Sequence, residues 1–179
     1  MGNSFEQGFT IWFTGLPCSG KTTLSKQIFN YLKKQGLKTE LLDGDVIRRH
    51  FSQELGFSEK ERKINIRRIG FLSHLLTRNG VVTVVAAIAP YKELREENRR
   101  LIGRYVEVYC NCPLEVAEQR DVKGMYQKAR AGEIKNFTGV SDPYEAPDNP
   151  DIVIYTHKEP PETSISTIIS YLKKYNYIK

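Results

Sequence analysis

The stretch GLPCSGKT, Gly15 to Thr22, matches the phosphate-cradling pattern Gly-x-x-x-x-Gly-Lys-[Ser/Thr], the Walker A motif. Each residue type has a task there. Glycines let backbone N–H groups converge on phosphate oxygens, Lys21 brings a full positive charge, and the Thr22 hydroxyl suits a magnesium ion. Gly15, Leu16, Pro17, Cys18, Ser19, Gly20, Lys21, Thr22 and the adjoining Thr23 are therefore candidate ATP-binding residues. Cys18 occupies a free position of the pattern and, with no paired histidine evident, reads as a passive loop residue rather than a nucleophile. A second constellation, Asp43-Gly44-Asp45, sets two carboxylates around a residue that permits a sharp bend. An Asx turn closing a strand explains one aspartate easily and two less well.

These residues need elements to position them. Thr10 to Thr14 (TIWFT) is short, β-branched and aromatic, which predicts a buried strand running into the glycine loop. Leu24, Ile28, Tyr31 and Leu32 then recur at helical spacing until Gly36. A strand over 38–42 ends in the Asp43-Gly44-Asp45 turn. Ser58-Glu59-Lys60-Glu61 has the form of a capping box and opens a helix carrying Ile69, Leu72, Leu75 and Leu76, closed by Gly80. The apolar run over 81–88 (VVTVVAAI) reads as a strand covered on both faces and ended by Pro90. A helix over 93–102, a strand over 105–110, a short helix opened by Pro113, a strand over 151–155 and a helix bearing Ile165, Ile168, Ile169 and Leu172 complete the alternation. Between 120 and 149 the chain is polar, rich in Gly and Pro in its second half, and has no core stripe, so it is expected to be disordered or a functional lid. The expected fold class is α/β, a P-loop NTPase-type three-layer arrangement with a mostly parallel sheet, helices on both faces and this lid segment, in one domain spanning 1–179. Ligands in such folds lie beyond the C-terminal ends of the strands, where the glycine loop, the paired carboxylates and Ile88 to Pro90 all fall.

Composition narrows the function. The chain's 179 residues, 40% hydrophobic, suffice for one well-buried core and not for two. No run approaches the roughly 20 apolar residues of a membrane span, and MGNSFEQGFT lacks the pattern of an export signal. Met1-Gly2 opens a myristoylation motif that Glu6 spoils, so no membrane partner and a cytoplasmic location are expected. Cys18, Cys110 and Cys112 are too few and too close for a zinc set, and the last two read as buried strand thiols. The net charge of +6 is dispersed among glutamates, so polyphosphate small molecules account for it more simply than nucleic acid.

A glycine loop does not by itself separate a kinase from a GTPase or motor ATPase, but the guanine-reading Asn-Lys-x-Asp is absent. The loop, DGD-x-x-R, LGFSEKERKINIRRIG, APYKELREENR and RDVKGMYQKARAGEIKNFTGVSDPYEAPDNPDI together resemble adenylylsulfate (APS) kinases over almost the whole chain. The resemblance implies transfer of phosphate from ATP, with Mg²⁺, to the ribose 3′-hydroxyl of adenylyl sulfate. By that resemblance Asp45 accepts or orients the hydroxyl proton, Lys21 and Asp43 complete the catalytic set, and Thr22 and Asp43 serve the metal. Asp45, Arg48, Phe57, Arg62, Asn65, Ile88, Ala89, Lys123 and Phe137 match acceptor-binding positions, with the two phenylalanines sandwiching the base. Lys128 and Arg130 fall in the lid, Arg120 borders the ATP adenine, and a homodimer is implied.

Where many bacterial members of the family read Phe-Ile-Ser-Pro, this chain reads Ala87-Ile88-Ala89-Pro90. Ala89 carries no hydroxyl, so no phosphoserine can form there and direct transfer is expected. Val46 likewise replaces an Asn that often follows DGD. These departures touch the acceptor side and leave open the same chemistry on another activated nucleotide, such as cytidine diphosphoramidate, because stacking tolerates either base. A catalytically silent nucleotide-binding module would be expected to have lost Lys21, Thr22, Asp43 or Asp45, and all four are present.

Overall fold

β1 (Thr10–Thr14) is buried at every position and runs straight into the glycine loop and α1 (Lys21–Lys34). The computed structural model describes residues 7–179, so the readings that concern Met1, Gly2 and Glu6 lie outside the described residues. After α1 come β2 (Thr39–Asp43), α2 (Gly44–Phe51), α3 (Glu59–Arg78), β3 (Val82–Ala86), α4 (Lys92–Ile102) and β4 (Tyr105–Asn111). The chain finishes with α5 (Leu114–Gln119), α6 (Met125–Arg130), β5 (Ile152–Tyr155) and α7 (Pro161–Lys174). The strands form one parallel sheet in the order β2-β3-β1-β4-β5. No helix among the described residues is long and apolar enough to cross a membrane.

Period-two alternation in β1 builds the layers. Ile11 and Phe13 face α1 and α7 in a cluster that takes in Ile28, Leu32, Ile168 and Leu172. Trp12 faces the other way, into a cluster with Ile66, Ile69, Leu94 and Ile102 of α3 and α4. The continuous apolar run of β3 is explained by burial on both faces, and Cys110 and Cys112 are buried free thiols. Ser58 and Glu61 form the expected capping box, each side chain bonding the other residue's backbone N–H.

Two expectations are corrected, and of the two alternatives for the 120–149 segment disorder is set aside. The Asp43-Gly44-Asp45 turn is the start of α2, a helix with no buried residue and hence no core stripe to betray it. β3 ends at Ala86 rather than Ile88, because the chain then turns through Ala89 at φ 45°. The 120–149 segment is ordered: it contains α6 and builds a third small core from Tyr126, Ala129 and Phe137 against Cys112 and Ala117. Its apolar residues are spaced for packing within a compact loop, which a helix or strand period does not register.

Candidate active site

The glycine loop joins the C-terminal end of β1 to the first turn of α1. At Gly15 (φ 146°) a Cβ would meet the Cys110 carbonyl at 2.6 Å and Ser19 Oγ at 2.7 Å, so only glycine fits. Cys18 at φ 59° is left-handed as well, a conformation uncommon outside glycine. Gly20, the N-cap of α1, provides no side-chain cap, so the helix presents its first N–H groups to an anion. Lys21 is buried, and its Nζ donates to the carbonyls of Gly15 at 3.0 Å and Leu16 at 2.6 Å. Burial lowers its pKa from 10.5 to about 8, against the partial offset of neighbouring groups that include Asp45 and Asp43. Thr22 and Thr23 are exposed in the first turn of α1.

Asp43 closes β2 and caps α2, its Oδ1 accepting from the N–H groups of Asp45 at 2.9 Å and Val46 at 3.3 Å. The Asx-turn account thus fits the first aspartate, and it occupies one carboxylate oxygen. Magnesium keeps several waters and takes only one or two protein ligands besides the phosphates. The second oxygen of Asp43 and the Thr22 hydroxyl fit that requirement. Asp45, in the first turn of α2, is exposed and meets Lys123 Nζ from the 120–149 segment at 3.2 Å.

The proposed acceptor residues gather around α2 and the start of α3. Arg48 donates to the carbonyls of Leu55 at 3.2 Å and Gly56 at 2.7 Å and lies 4.6 Å from the centre of the Phe57 ring. Phe57 itself is 54% exposed, a large apolar surface open to a partner ring. Arg62, which the resemblance matches to an acceptor-binding position, has its donors engaged within the protein. It donates to the Phe57 carbonyl at 2.8 Å, Thr138 Oγ1 at 2.7 Å and the Asn136 carbonyl, and faces Asp142 at 3.5 Å. It therefore ties α3 to the 120–149 segment. One turn along, Asn65 is buried and its Oδ1 has no hydrogen-bond partner in the protein.

Phe137 is only 8% exposed and packs edge-on against Tyr126 with ring centres 5.0 Å apart. The two phenylalanines thus differ, one open and one embedded in the small core of the 120–149 segment. Ile88 is partly exposed, whereas Ala89 is fully buried. Arg120 donates to the Thr156 carbonyl at 2.8 Å, and Thr156 is the residue that a Cβ on Gly20 would touch, so Arg120 stands beside the start of α1. Lys128 is exposed on α6, and Arg130 is engaged in an ion pair with Glu118 of α5.

Two residues that the motif reading passes over hold the site together. Tyr126 donates its hydroxyl to the Pro17 carbonyl at 3.0 Å, fastening the 120–149 segment to the glycine loop. Thr14, the last residue of β1, donates to the Ile88 carbonyl at 2.6 Å and shares a 2.9 Å hydrogen bond with Tyr144. An aromatic in a polar segment was the available signal for each tyrosine.

Central placement of β1, the loop it feeds and the buried lysine define the class, a P-loop nucleotide-binding fold. Within that class, the family model for adenylylsulphate kinase matches residues 7–155, and the chain belongs to this family. It is similar to the adenylyl-sulfate kinase of Picosynechococcus sp. (strain ATCC 27264 / PCC 7002 / PR-6), with 55% identity over 97% of this chain and 98% of that one. The structure of the Mycobacterium tuberculosis APS kinase CysC in complex with AMPPNP and APS superposes with a TM-score of 0.89 at 37% identity, over 93% of this chain and 98% of that one. The hexameric APS kinase from Thiobacillus denitrificans matches at a TM-score of 0.76 and 31% identity, over 99% of this chain and 31% of that one.

Proposed function

We propose that this chain is an ATP-dependent adenylyl-sulfate kinase that phosphorylates the ribose 3′-hydroxyl of APS to give 3′-phosphoadenylyl sulfate. One observation carries the site assignment: the glycine loop that follows β1 and the Asp43 and Asp45 pair that follows β2 stand at the same C-terminal edge of one parallel sheet. The loop amides and Lys21 bind the donor phosphates, while Arg120 borders the adenine from the side of Thr156. Thr22 and Asp43 would hold Mg²⁺, which would supply neutralisation of the phosphate charge. Asp45 orients the 3′-hydroxyl and receives its proton as the oxygen attacks the terminal phosphorus, and the bond to the leaving ADP oxygen breaks in line. Lys123, now paired with Asp45, is placed to turn to the acceptor when the site fills.

Arg48, Arg62 and Asn65 frame the acceptor, and the unpartnered Asn65 oxygen is free to accept a hydrogen bond from it. Phe57 offers one stacking face, and Phe137 supplies the other from the lid, the 120–149 part of a single kinase domain. Lys128 and Arg130 are carried on that lid. Transfer is direct, since the sequence places no hydroxyl at Ala89. Self-association as a homodimer and a cytoplasmic location complete the reading, with kinship to a hexameric APS kinase in support of the former. The test is an acceptor panel with labelled ATP. Phosphorylation of adenylyl sulfate well ahead of cytidine diphospho derivatives is expected, and the reverse preference would overturn the substrate assignment.

A further inference from the structure

Four consecutive carbonyls after β3 are each held from within the fold. Ala87 O accepts from Trp12 Nε1 at 3.3 Å, Ile88 O from Thr14 Oγ1 at 2.6 Å, Ala89 O from Arg95 Nη1 at 2.5 Å and Pro90 O from the Glu145 N–H at 2.9 Å. Ala89 in this run has φ 45°, a left-handed conformation that its Cβ disfavours and that persists only where surroundings over-determine it. Along residues 82–91, Ile88 alone is not buried, so the clamp decides how that one side chain is presented to the site.

We propose that Arg95 of α4 is a positioning residue for the acceptor, holding Ala89 in its left-handed conformation so that Ile88 forms a preorganised wall of the acceptor pocket. The inference rests on the adenylyl-sulfate kinase reading, in which Ile88 and Ala89 border the acceptor. Arg95 does no chemistry and touches no reacting atom. Its guanidinium is only 4% exposed, with Nε 3.2 Å from Glu107 of β4 and Nη2 donating to the Glu145 carbonyl at 2.6 Å. One rigid planar group thus spans α4, β4, the loop after β3 and the far end of the 120–149 segment, which a lysine's point charge cannot do. Glu107 faces the guanidinium as an ion-pair partner, and Arg99 stands 3.8 Å from the other oxygen of the same carboxylate.

Titration calorimetry with adenylyl sulfate and, separately, with AMPPNP tests this in the whole chain. Arg95→Lys keeps a charge beside Glu107 and loses the fork. It is expected to weaken adenylyl sulfate binding about tenfold and AMPPNP binding by less than about twofold, the pattern of lost preorganisation on one side of the site. Adding Ala89→Gly is expected to recover most of that loss, because glycine adopts this φ without the Cβ penalty. If Arg95→Lys does not fold, Arg95→Gln with Glu107→Gln removes both charges together and is read the same way. Equal losses for both ligands, unchanged adenylyl sulfate affinity, or no recovery by glycine would each overturn the proposal. Wild-type protein that fails to bind adenylyl sulfate would remove the functional reading and this inference together, whereas tight wild-type binding with indifferent variants removes the inference alone.

Discussion

Raising the pH from 6.5 to 9 interrogates the protonation of Lys21. Its ammonium is folded back onto the Gly15 and Leu16 carbonyls in a buried setting, and burial lowers its pKa from 10.5 to about 8. That difference corresponds to about 3 kcal/mol of disfavour for the charged form in the folded chain, an order-of-magnitude figure. The sign follows from linkage. A base whose folded pKa lies below its unfolded value subtracts from stability below about pH 8, and the penalty fades between about 8 and 10.5 as both states lose the proton. A polyphosphate in the loop reverses the local field and returns the pKa toward or above its ordinary value. Nucleotide binding should then take up almost no proton at Lys21 at pH 6.5, about half a proton at pH 8 and about 0.9 at pH 9. The assay is calorimetric titration of AMPPNP with magnesium in two buffers of different ionisation enthalpy at each pH. Lys21→Arg, which cannot titrate in this range, subtracts the nucleotide's own protons. A wild-type uptake at pH 9 equal to that of the arginine variant would refute a desolvated lysine waiting for phosphate.

Asp45→Asn should retain AMPPNP affinity within about twofold and lose at least roughly 100-fold in turnover, the usual worth of a general base that also orients; near-normal turnover in the phosphate-transfer assay would remove Asp45 from the mechanism. Phe57→Ala should leave the melting temperature almost unchanged, since the ring is 54% exposed, yet raise the acceptor KM well above any change in the ATP KM. Phe137→Ala should instead lower stability by about 3 kcal/mol or more, because that ring fills the small core with Tyr126; thermal unfolding of the two variants side by side distinguishes them. With labelled ATP and no acceptor, no acid-stable phosphoprotein should accumulate on gels, and a stoichiometric phosphoserine anywhere in the chain would contradict direct transfer.

Much of the site's list of parts was legible because it is written in local patterns. The glycine loop announces itself by spacing, the strand before it by β-branched and aromatic residues, and the helix after it by its apolar stripe. The capping box at Ser58 predicts the start of α3 to the residue. Signals of this kind arise from contacts within a few residues along the chain, or from burial that repeats with the period of one element. α2 has a local cap at Asp43 but no buried residue to give it a stripe, and the same aspartate reads equally well as a turn. The 120–149 segment was hidden for a related reason: Tyr126, Ala129 and Phe137 pack on Cys112 and Ala117, partners that no local period encodes.

By itself, then, the order of residues determined the strand–loop–helix cradle, the alternation that yields a parallel sheet, and the chemistry available at Lys21, Asp43 and Asp45. Only the tertiary structure decided what each polar group does with its hydrogen-bonding capacity. Arg62 enters the sequence reading only as an acceptor-binding match, and the fold adds that its donors reach Phe57, Asn136 and Thr138. Arg95 reads as one charge among many on a helix, yet it is buried between Glu107 and the Ala89 carbonyl. A buried guanidinium must satisfy its donors wherever the fold brings acceptors within reach, and those acceptors come from segments far apart along the chain.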